Sequence, residues 1–198
     1  MARIAVVGNA GGGKSTLARA IAACRGLPHV EIDSLLWQED WKLTRIETYM
    51  RRHAELIAGD AWVVDGLGHQ ASMAGRFERA TEIVLIDMPL WIHFWLAAER
   101  QIAWTQGRLD HKPGGVTTMA PTKELFRAIW EVDRDWMPDL RALYDKAERR
   151  GKIVTRLASV EDIELSPRPC NHRQRRTHVR NDRHLANPGT LSRCLCLL

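Results

Sequence analysis

The sequence contains no apolar run that is long enough to cross a membrane. The longest run, 88–98, falls short of the roughly 20 residues that a bilayer-spanning helix needs, and it contains His93. No secretory signal is visible, because Met1 leads directly into the first predicted strand. These absences speak against a membrane or secreted protein, and we expect a cytoplasmic protein with no membrane partner.

Cysteine is scarce. The four cysteines, at positions 24, 170, 194 and 196, have neither the spacing of a zinc site nor that of a disulfide framework.

Two nucleotide-binding motifs are missing. No Asn-Lys-x-Asp sequence occurs, which speaks against a guanine-specific GTPase. The dinucleotide fingerprint G-x-G-x-x-G is absent as well, because its one possible start at Gly11 reaches Thr16 where a glycine is required. A Rossmann-type site is therefore excluded.

The excess of positive charge lies at one end of the chain. The net charge is +5, but residues 1–165 hold 22 basic and 23 acidic residues, a net charge of −1. From Ser166 onward there are seven arginines, no lysine and one acid, Asp182. Because nucleic-acid binding depends on neutralising phosphates, the neutral body speaks against such a partner for residues 1–165. The segment 166–198 lacks apolar periodicity, and we expect a basic, disordered tail there.

The sequence does contain a phosphate-binding loop. Residues 8–15 are Gly-Asn-Ala-Gly-Gly-Gly-Lys-Ser and match G-x-x-x-x-G-K-[ST] at every fixed position. In such a P-loop the backbone N–H groups surround the β-phosphate, the lysine contacts the β- and γ-phosphates, and the hydroxyl ligates Mg²⁺. We therefore predict that the chain binds ATP with Mg²⁺. The predicted nucleotide-binding residues are Gly8, Ala10, Gly11, Gly12, Gly13, Lys14, Ser15 and Thr16.

Strands and helices alternate along residues 1–165. Short apolar runs predict strands at 3–7, 29–32, 62–64, 83–86 and 153–157. Thr44 and Glu47 have the spacing of a capping box at the start of a helix. A long helical stretch, 122–150, is expected to break near Pro138, because proline removes a backbone donor. This alternation predicts a three-layer α/β domain with a parallel sheet, built from right-handed βαβ units.

Aspartates stand at the ends of three predicted strands, at the edge of the sheet where α/β proteins bind ligands. Asp65 is our first choice for the carboxylate of the Mg²⁺ shell and Asp87 is the alternative. Asp33 could accept the proton of an acceptor hydroxyl or orient that hydroxyl. Each of the three could instead cap a turn. Trp37 and Trp41 in the next loop could stack on an acceptor or simply cover the core.

Phosphoryl transfer also needs cations that approach the transferring group. Arg100 and Arg108 lie on the predicted helix that leads into the loop 107–121, whose glycines suit a closing lid. We predict a catalytic role for both, together with Lys14 and Asp33; solvated surface charges are the alternative for the two arginines. Weaker candidates for the same role are Arg76, Arg79 and Arg127.

Several of these motifs occur together in one known family. They are the P-loop with Gly-Lys-Ser-Thr, Leu27-Pro28, Asp33-Ser-Leu-Leu-Trp37, Trp62-Val-Val-Asp65-Gly66, Glu78-Arg79-Ala80, Ile86-Asp87-Met-Pro89 and Arg108-Leu-Asp110. Over about residues 1–165 the chain resembles the small P-loop proteins described as adenylate-kinase-related or DNA topology modulation proteins.

This resemblance implies a nucleoside- or nucleotide-kinase type of P-loop NTPase fold, with a five-stranded sheet in the order 2-3-1-4-5 and a lid that carries arginines. It implies that Lys14 and Ser15 hold phosphate and Mg²⁺, and that Asp33 and Asp65 face the acceptor and the metal. The lid arginines would be Arg100 and Arg108.

Three functions are compatible with these patterns. The leading hypothesis is an ATP-dependent phosphotransferase that acts on a small nucleotide- or metabolite-like acceptor. The second is an ATPase or a nucleotide-sensing regulator, with or without a link to nucleic acid. The third is a degraded relative that binds nucleotide without useful turnover.

Overall fold

The computed structural model describes residues 1–109 and 118–166, so most of the predicted lid loop and the tail from residue 167 lie outside the described residues. The strands are β1 (Arg3–Gly8), β2 (His29–Glu31), β3 (Trp62–Asp65), β4 (Glu82–Ile86) and β5 (Ile153–Leu157). The helices are α1 (Lys14–Arg25), α2 (Asp33–Leu36), α3 (Ile46–Ala58), α4 (Met73–Arg79), α5 (Leu90–Thr105), α6 (Thr122–Glu131), α7 (Met137–Arg149) and α8 (Val160–Leu165).

All five strands form one parallel sheet in the order β2-β3-β1-β4-β5. This is the α/β arrangement predicted from the alternation of elements, and the strand order is the one that the resemblance implies. β1 lies at the centre, with Val6 beside Asp65 of β3 and Gly8 beside Ile86 of β4. The loop that leaves β1 therefore emerges between the ends of β3 and β4, which brings the P-loop next to both strand-end aspartates.

Side chains of β1 alternate between two hydrophobic cores, and this alternation produces the three layers. Ala5 and Val7 pack with residues of α3, α4 and α7 on one face of the sheet. Ile4 and Val6 pack with α1, α5 and Leu157 on the other face. Helices on both faces bury the three inner strands β3, β1 and β4, which explains why these are mostly apolar runs, whereas the edge strands β2 and β5 are partly exposed.

The predicted break in the long helix is confirmed. α6 ends at Glu131, a π-helical segment follows at Val132–Trp136, and α7 begins at Met137 with Pro138 in its first turn. Proline is favourable there because its missing N–H would have no partner in a first turn.

The predicted capping box at Thr44 is wrong. α3 begins two residues later, with Arg45 at the N-cap position and no side-chain cap hydrogen bond. Thr44 is buried, and its backbone N–H donates to the carbonyl of Leu36 at 2.9 Å. That contact makes Thr44 part of the preceding loop rather than of the helix.

Lys152 ties the end of α4 to the last strand. Its ammonium group donates to the carbonyl oxygens of Phe77, Glu78 and Ala80 at 2.8, 2.6 and 2.7 Å. These are C-terminal carbonyls of a short helix and the residue after it, which need donors from outside the helix.

Within the part of the chain that the structure describes, no helix has both the length and the apolar character of a membrane span.

Candidate active site

The P-loop follows β1 and is shaped by close packing against β4 and α5. Gly8 has a φ of +143°, and a Cβ there would lie 2.3 Å from the carbonyl oxygen of Ile86. Gly11 has a φ of +74°, and a Cβ there would lie 2.7 Å from the carbonyl oxygen of His93 on α5. Only glycine accommodates both the backbone conformation and the close approach at these positions.

The loop leads into the N-terminus of α1. The first hydrogen bond of the helix runs from the N–H of Leu17 to the carbonyl of Gly13 at 3.1 Å, so the N–H groups of Lys14, Ser15 and Thr16 have no partner within the helix. Gly13 occupies the N-cap position in a left-handed conformation, with no side-chain cap hydrogen bond. Unpaired N–H groups and the positive end of the helix dipole make this terminus suitable for a phosphate.

The side chain of Lys14 folds back over the P-loop. Lys14 is partly exposed as a residue, and its ammonium group donates to the carbonyl oxygen of Asn9 at 2.7 Å. Burial lowers the pKa of Lys14; the carboxylates of Asp33 and Asp65 act in the opposite direction, and the guanidinium of Arg100 adds to the lowering. The structure therefore brings a lysine, two aspartates and an arginine, all from predicted site positions, within electrostatic reach of one another.

Hydrogen bonds to two surrounding helices fix the P-loop backbone from outside. Asn9 is buried, and its amide donates to the carbonyl of Ile129 on α6 at 2.8 Å, while its side-chain oxygen accepts from the N–H of Ala10. A ring nitrogen of the buried His93 lies 2.9 Å from the carbonyl oxygen of Ala10. Helices α5 and α6, which flank the predicted lid, are thus both hydrogen-bonded to the P-loop.

Asp65 contacts the predicted Mg²⁺ ligand directly. The hydroxyl of Ser15 donates to Oδ2 of Asp65 at 2.6 Å, and Oδ1 of Asp65 lies 2.7 Å from Nε2 of His29. The carboxyl group is almost completely buried, with 2% of the side chain exposed. The structure thus joins the two residues that the sequence assigned to the metal, Ser15 and Asp65.

Asp87 has different surroundings. The guanidinium of Arg141 on α7 donates to Oδ1 of Asp87 at 2.8 Å, and Arg156 on β5 forms a second ion pair with Oδ2. Burial opposes ionisation of Asp87, but the hydrogen bond and charge of Arg141, together with Arg156, lower its pKa. Asp87 is thus paired with two arginines, whereas Asp65 contacts the predicted Mg²⁺ ligand Ser15.

Asp33 begins the short helix α2, next to the loop that follows β3. A Cβ at Gly66 would lie 3.2 Å from Oδ1 of Asp33 and 2.7 Å from a methyl carbon of Ile32, so this glycine permits close packing rather than leaving room for a ligand. Burial raises the pKa of Asp33 above its usual range; Lys14 opposes the rise, and Asp65 acts in the same direction as burial.

The two predicted lid arginines differ in position. Arg100 is half-buried on α5, where burial lowers its pKa and the charge of Asp33 counteracts that effect. Arg108 is exposed, and its guanidinium donates to the side chain of Gln106 at 2.9 Å. Arg108 borders residues 110–117, which lie outside the described residues, so its predicted catalytic role stays a prediction.

The loop after α2 contacts the far side of the predicted lid. Trp37 and Trp41 pack edge to face with ring centroids 5.6 Å apart, and the indole N–H of Trp41 donates to the carbonyl of Thr118 at 3.1 Å. Trp41 has a φ of +59°, a conformation that costs about 1–2 kcal/mol for a residue with a side chain. These contacts hold the strained tryptophan in place.

The side chain of Arg76 is structural, which the sequence did not predict. It is fully buried and donates to the carbonyl oxygens of Gly66 and Leu67 at 2.6 and 2.8 Å. Its Nε donates to Nε2 of His53, whose pKa is lowered to about 4 by burial and by Arg76, so the ring is a neutral acceptor at pH 7. Three of the five N–H groups of Arg76 are thus engaged with the loop after Asp65 and with His53, and they fix that loop.

The other weaker arginine candidates also lie elsewhere. Arg79 donates to the carbonyl oxygens of Ile57 and Ala58 at the C-terminus of α3, at 3.1 and 2.9 Å. Arg127 is exposed on α6.

Three solved structures are similar to this chain at low sequence identity. A gluconokinase from Sinorhizobium meliloti 1021 is 20% identical over 76% of this chain and 95% of its own, with a TM-score of 0.40. A sugar kinase from Janibacter sp. HTCC2649 is 16% identical over 72% and 98%, with a TM-score of 0.38. A shikimate kinase from Aquifex aeolicus vf5 is 16% identical over 71% and 98%, with a TM-score of 0.39.

No protein-family model matches the chain, and a search of curated proteins finds no match.

Proposed function

We propose that the protein is a phosphotransferase that moves the γ-phosphate of ATP to a small hydroxyl- or phosphate-bearing acceptor. The observation that supports this most is the convergence of Lys14, Ser15, Asp65 and Asp33 at the N-terminus of α1. A cation, a hydroxyl and a carboxylate are the groups that hold a triphosphate with its metal ion. A further carboxylate beside them gives an acceptor hydroxyl a partner.

The residues present fit a P-loop-bound Mg²⁺–ATP. The unpaired N–H groups at the start of α1 and the ammonium of Lys14 would hold the β- and γ-phosphates, and the hydroxyl of Ser15 would ligate Mg²⁺. Asp65 would bind the water molecules of the metal shell. Among the described residues no three His, Cys, Asp or Glu side chains gather as a metal site. This agrees with Mg²⁺, which takes one or two protein ligands and the substrate phosphates. When bound, Mg²⁺ neutralises charge on the transferring group.

The acceptor would bind between Asp33 and Arg100. Asp33 orients the acceptor hydroxyl or takes its proton, and Arg100 neutralises charge on the transferring group from α5. Arg108 would join from the lid when the lid closes. Trp37 and Trp41 would form an apolar wall on the side of α2. An adenylate-kinase-related identity and a cytoplasmic location remain predictions from the sequence.

A screen for acceptor-dependent ADP release tests the proposed activity. We expect one class of nucleosides, nucleotides, sugars or small hydroxy acids to raise ADP release above the rate measured with ATP and Mg²⁺ alone. A steady ATPase rate that no acceptor changes would instead support the ATPase or regulator. ATP binding without any turnover would support the degraded relative.

Asp65→Asn should weaken the response to Mg²⁺ more than the affinity for free ATP. The substitution keeps the shape of the side chain and removes the charge that organises the metal shell. The Mg²⁺ concentration that gives half-maximal ATP binding should rise by roughly tenfold or more. Isothermal titration calorimetry at a series of Mg²⁺ concentrations, with an EDTA reference, measures this shift.

Asp87→Asn is the matched control. It leaves Arg141 and Arg156 without their shared carboxylate, so it should lower the melting temperature with little change in the Mg²⁺ response. If Asp87→Asn shifts the Mg²⁺ response and Asp65→Asn does not, the two strand-end aspartates have exchanged roles relative to our proposal.

We also propose that residues 1–165 form the functional domain and that residues 166–198 are dispensable. A chain that ends at Leu165 loses no periodic apolar segment and keeps α8, whose capping box of Ser159 and Asp162 is intact. Its melting temperature and ATP affinity should equal those of the full chain. A large loss of either would contradict this division, whereas a loss of nucleic-acid binding alone would assign a role to the arginine-rich tail.

A further inference from the structure

We propose that His29 is a positioning residue for the Mg²⁺ shell, a role that rests on the function proposed above. Its Nε2 lies 2.7 Å from Oδ1 of Asp65, and Ser15 donates to Oδ2 of the same carboxyl group at 2.6 Å. A carboxylate only accepts hydrogen bonds, so Nε2 carries the hydrogen in this pair. His29 thereby fixes, together with Ser15, the orientation of the Asp65 carboxylate plane.

The register of the sheet explains how a residue 36 positions away reaches Asp65. β2 and β3 are parallel, with His29 beside Val63 and Glu31 beside Asp65. Side chains at alternate positions share a face, so His29 and Asp65 are diagonal neighbours on the face that α1 covers. Diagonal neighbours on a sheet are within reach of a long or aromatic side chain, which an imidazole satisfies.

Glu31, which is closer to Asp65 along the register, has a separate partner. Its Oε1 lies 2.7 Å from Nη1 of Arg19, one turn after Ser15 on α1. Successive turns of α1 thus contact two adjacent carboxylates: Ser15 contacts Asp65, and Arg19 contacts Glu31. Arg19 thus pairs with Glu31, whereas Ser15 and His29 both contact Asp65.

The burial of Asp65 makes its orientation dependent on His29. The side chain of Asp65 is 2% exposed and that of His29 is 17% exposed, so solvent has little access to replace a lost hydrogen bond. Two partners, one on each oxygen, fix the plane of the Asp65 carboxylate about its Cβ–Cγ bond. Without His29, the carboxylate could rotate about that bond while keeping its contact with Ser15, and the geometry offered to the metal shell would no longer be fixed. Partners behind a metal site commonly change metal affinity by 10–100-fold.

The test compares three substitutions at one position. His29→Gln places an amide N–H near the position of Nε2, His29→Asn places it closer to the backbone, and His29→Leu keeps apolar volume without a donor. For each variant, binding of ATP is measured by calorimetry across a Mg²⁺ series and in EDTA, and the melting temperature is measured without metal. We expect His29→Leu and His29→Asn to raise the half-maximal Mg²⁺ concentration about tenfold. His29→Gln should restore most of the wild-type response, and ATP affinity in EDTA should change less than twofold in all three.

Two outcomes would overturn the inference in different ways. If the wild-type chain binds ATP with Mg²⁺ dependence that His29→Leu and His29→Asn retain, His29 has no positioning role, whatever happens to the melting temperature. If wild-type ATP binding does not respond to Mg²⁺ at all, the proposed metal shell is wrong, and the role of His29 with it. Should His29→Leu fail to fold, the contrast between His29→Gln and His29→Asn decides the question, because both are polar and differ in reach.

Discussion

Lys14→Met should lower ATP affinity by roughly 100-fold, since a hydrogen bond to a charged group contributes about 1.5–3 kcal/mol and two phosphates lose a cation. The apolar stem of the side chain is retained, so packing around the P-loop should not change. Burial lowers the pKa of Lys14, which means that its charge is unfavourable in the folded chain despite the nearby aspartates. The melting temperature without nucleotide should therefore be unchanged or slightly higher.

Calorimetry with Mg²⁺–ATP and thermal unfolding without nucleotide measure the two quantities. Lys123→Met is the matched control, because Lys123 is exposed at the start of α6, away from the P-loop. It should leave both quantities at the wild-type values. Equal ATP affinity in wild type and Lys14→Met would refute the nucleotide site on which the proposed function depends.

Asp33→Asn should lower acceptor-dependent turnover by about 10²- to 10⁴-fold, the usual effect of losing a positioned base. ATP affinity should change little, because Asp33 contacts the acceptor side of the proposed site. Asp60→Asn, at an exposed position after α3, is the control and should leave turnover unchanged.

The pH dependence of turnover gives a second readout for Asp33. In the proposed reaction the active form of Asp33 is the carboxylate, so turnover should fall as the pH falls through the pKa of Asp33. Burial raises that pKa, so the decline should begin above the value of about 3.9 for an exposed aspartate. Asp33→Asn should lack this acid limb. If wild type hydrolyses ATP at one rate with every acceptor and Asp33→Asn does the same, the kinase hypothesis fails.

The parts of the site that could be predicted are those encoded by short contiguous patterns. The P-loop is one unbroken motif, and Asp33 and Asp65 each come directly after a predicted strand. Parallel strands bring their carboxyl ends to one edge, so position along each strand sufficed to place these aspartates near the P-loop. The strand order was available only through the resemblance, because spacing along the chain does not specify which strands pair.

The rest depended on contacts between distant segments. His29 looks like an ordinary strand residue until the register of β2 and β3 brings it to Asp65. Arg76 has the charge of a surface residue on a short helix, yet it is buried because two loop carbonyls and a neutral histidine receive its hydrogen bonds. Asn9 occupies a variable position of the P-loop pattern, and its partner is a carbonyl 120 residues away. No local pattern identifies such partners.

The contact of Lys152 with the end of α4 has a consequence for how the chain folds. β5, which begins one residue later, pairs with β4 from Glu82 beside Ile153, and the carbonyls that Lys152 contacts lie 72–75 residues earlier in the chain. β1 in turn pairs with strands that begin at residues 62 and 82. Contacts of such long sequence separation make folding slow, on a scale of milliseconds to seconds. The chain loses the entropy of loop closure before strand pairing can stabilise it. During synthesis β1 therefore remains unpaired until β3 and β4 have been made. The edge of β4 stays unpaired until β5, which ends at Leu157, has left the ribosome. We expect this interval, rather than the finished domain, to be when the chain is most prone to aggregate.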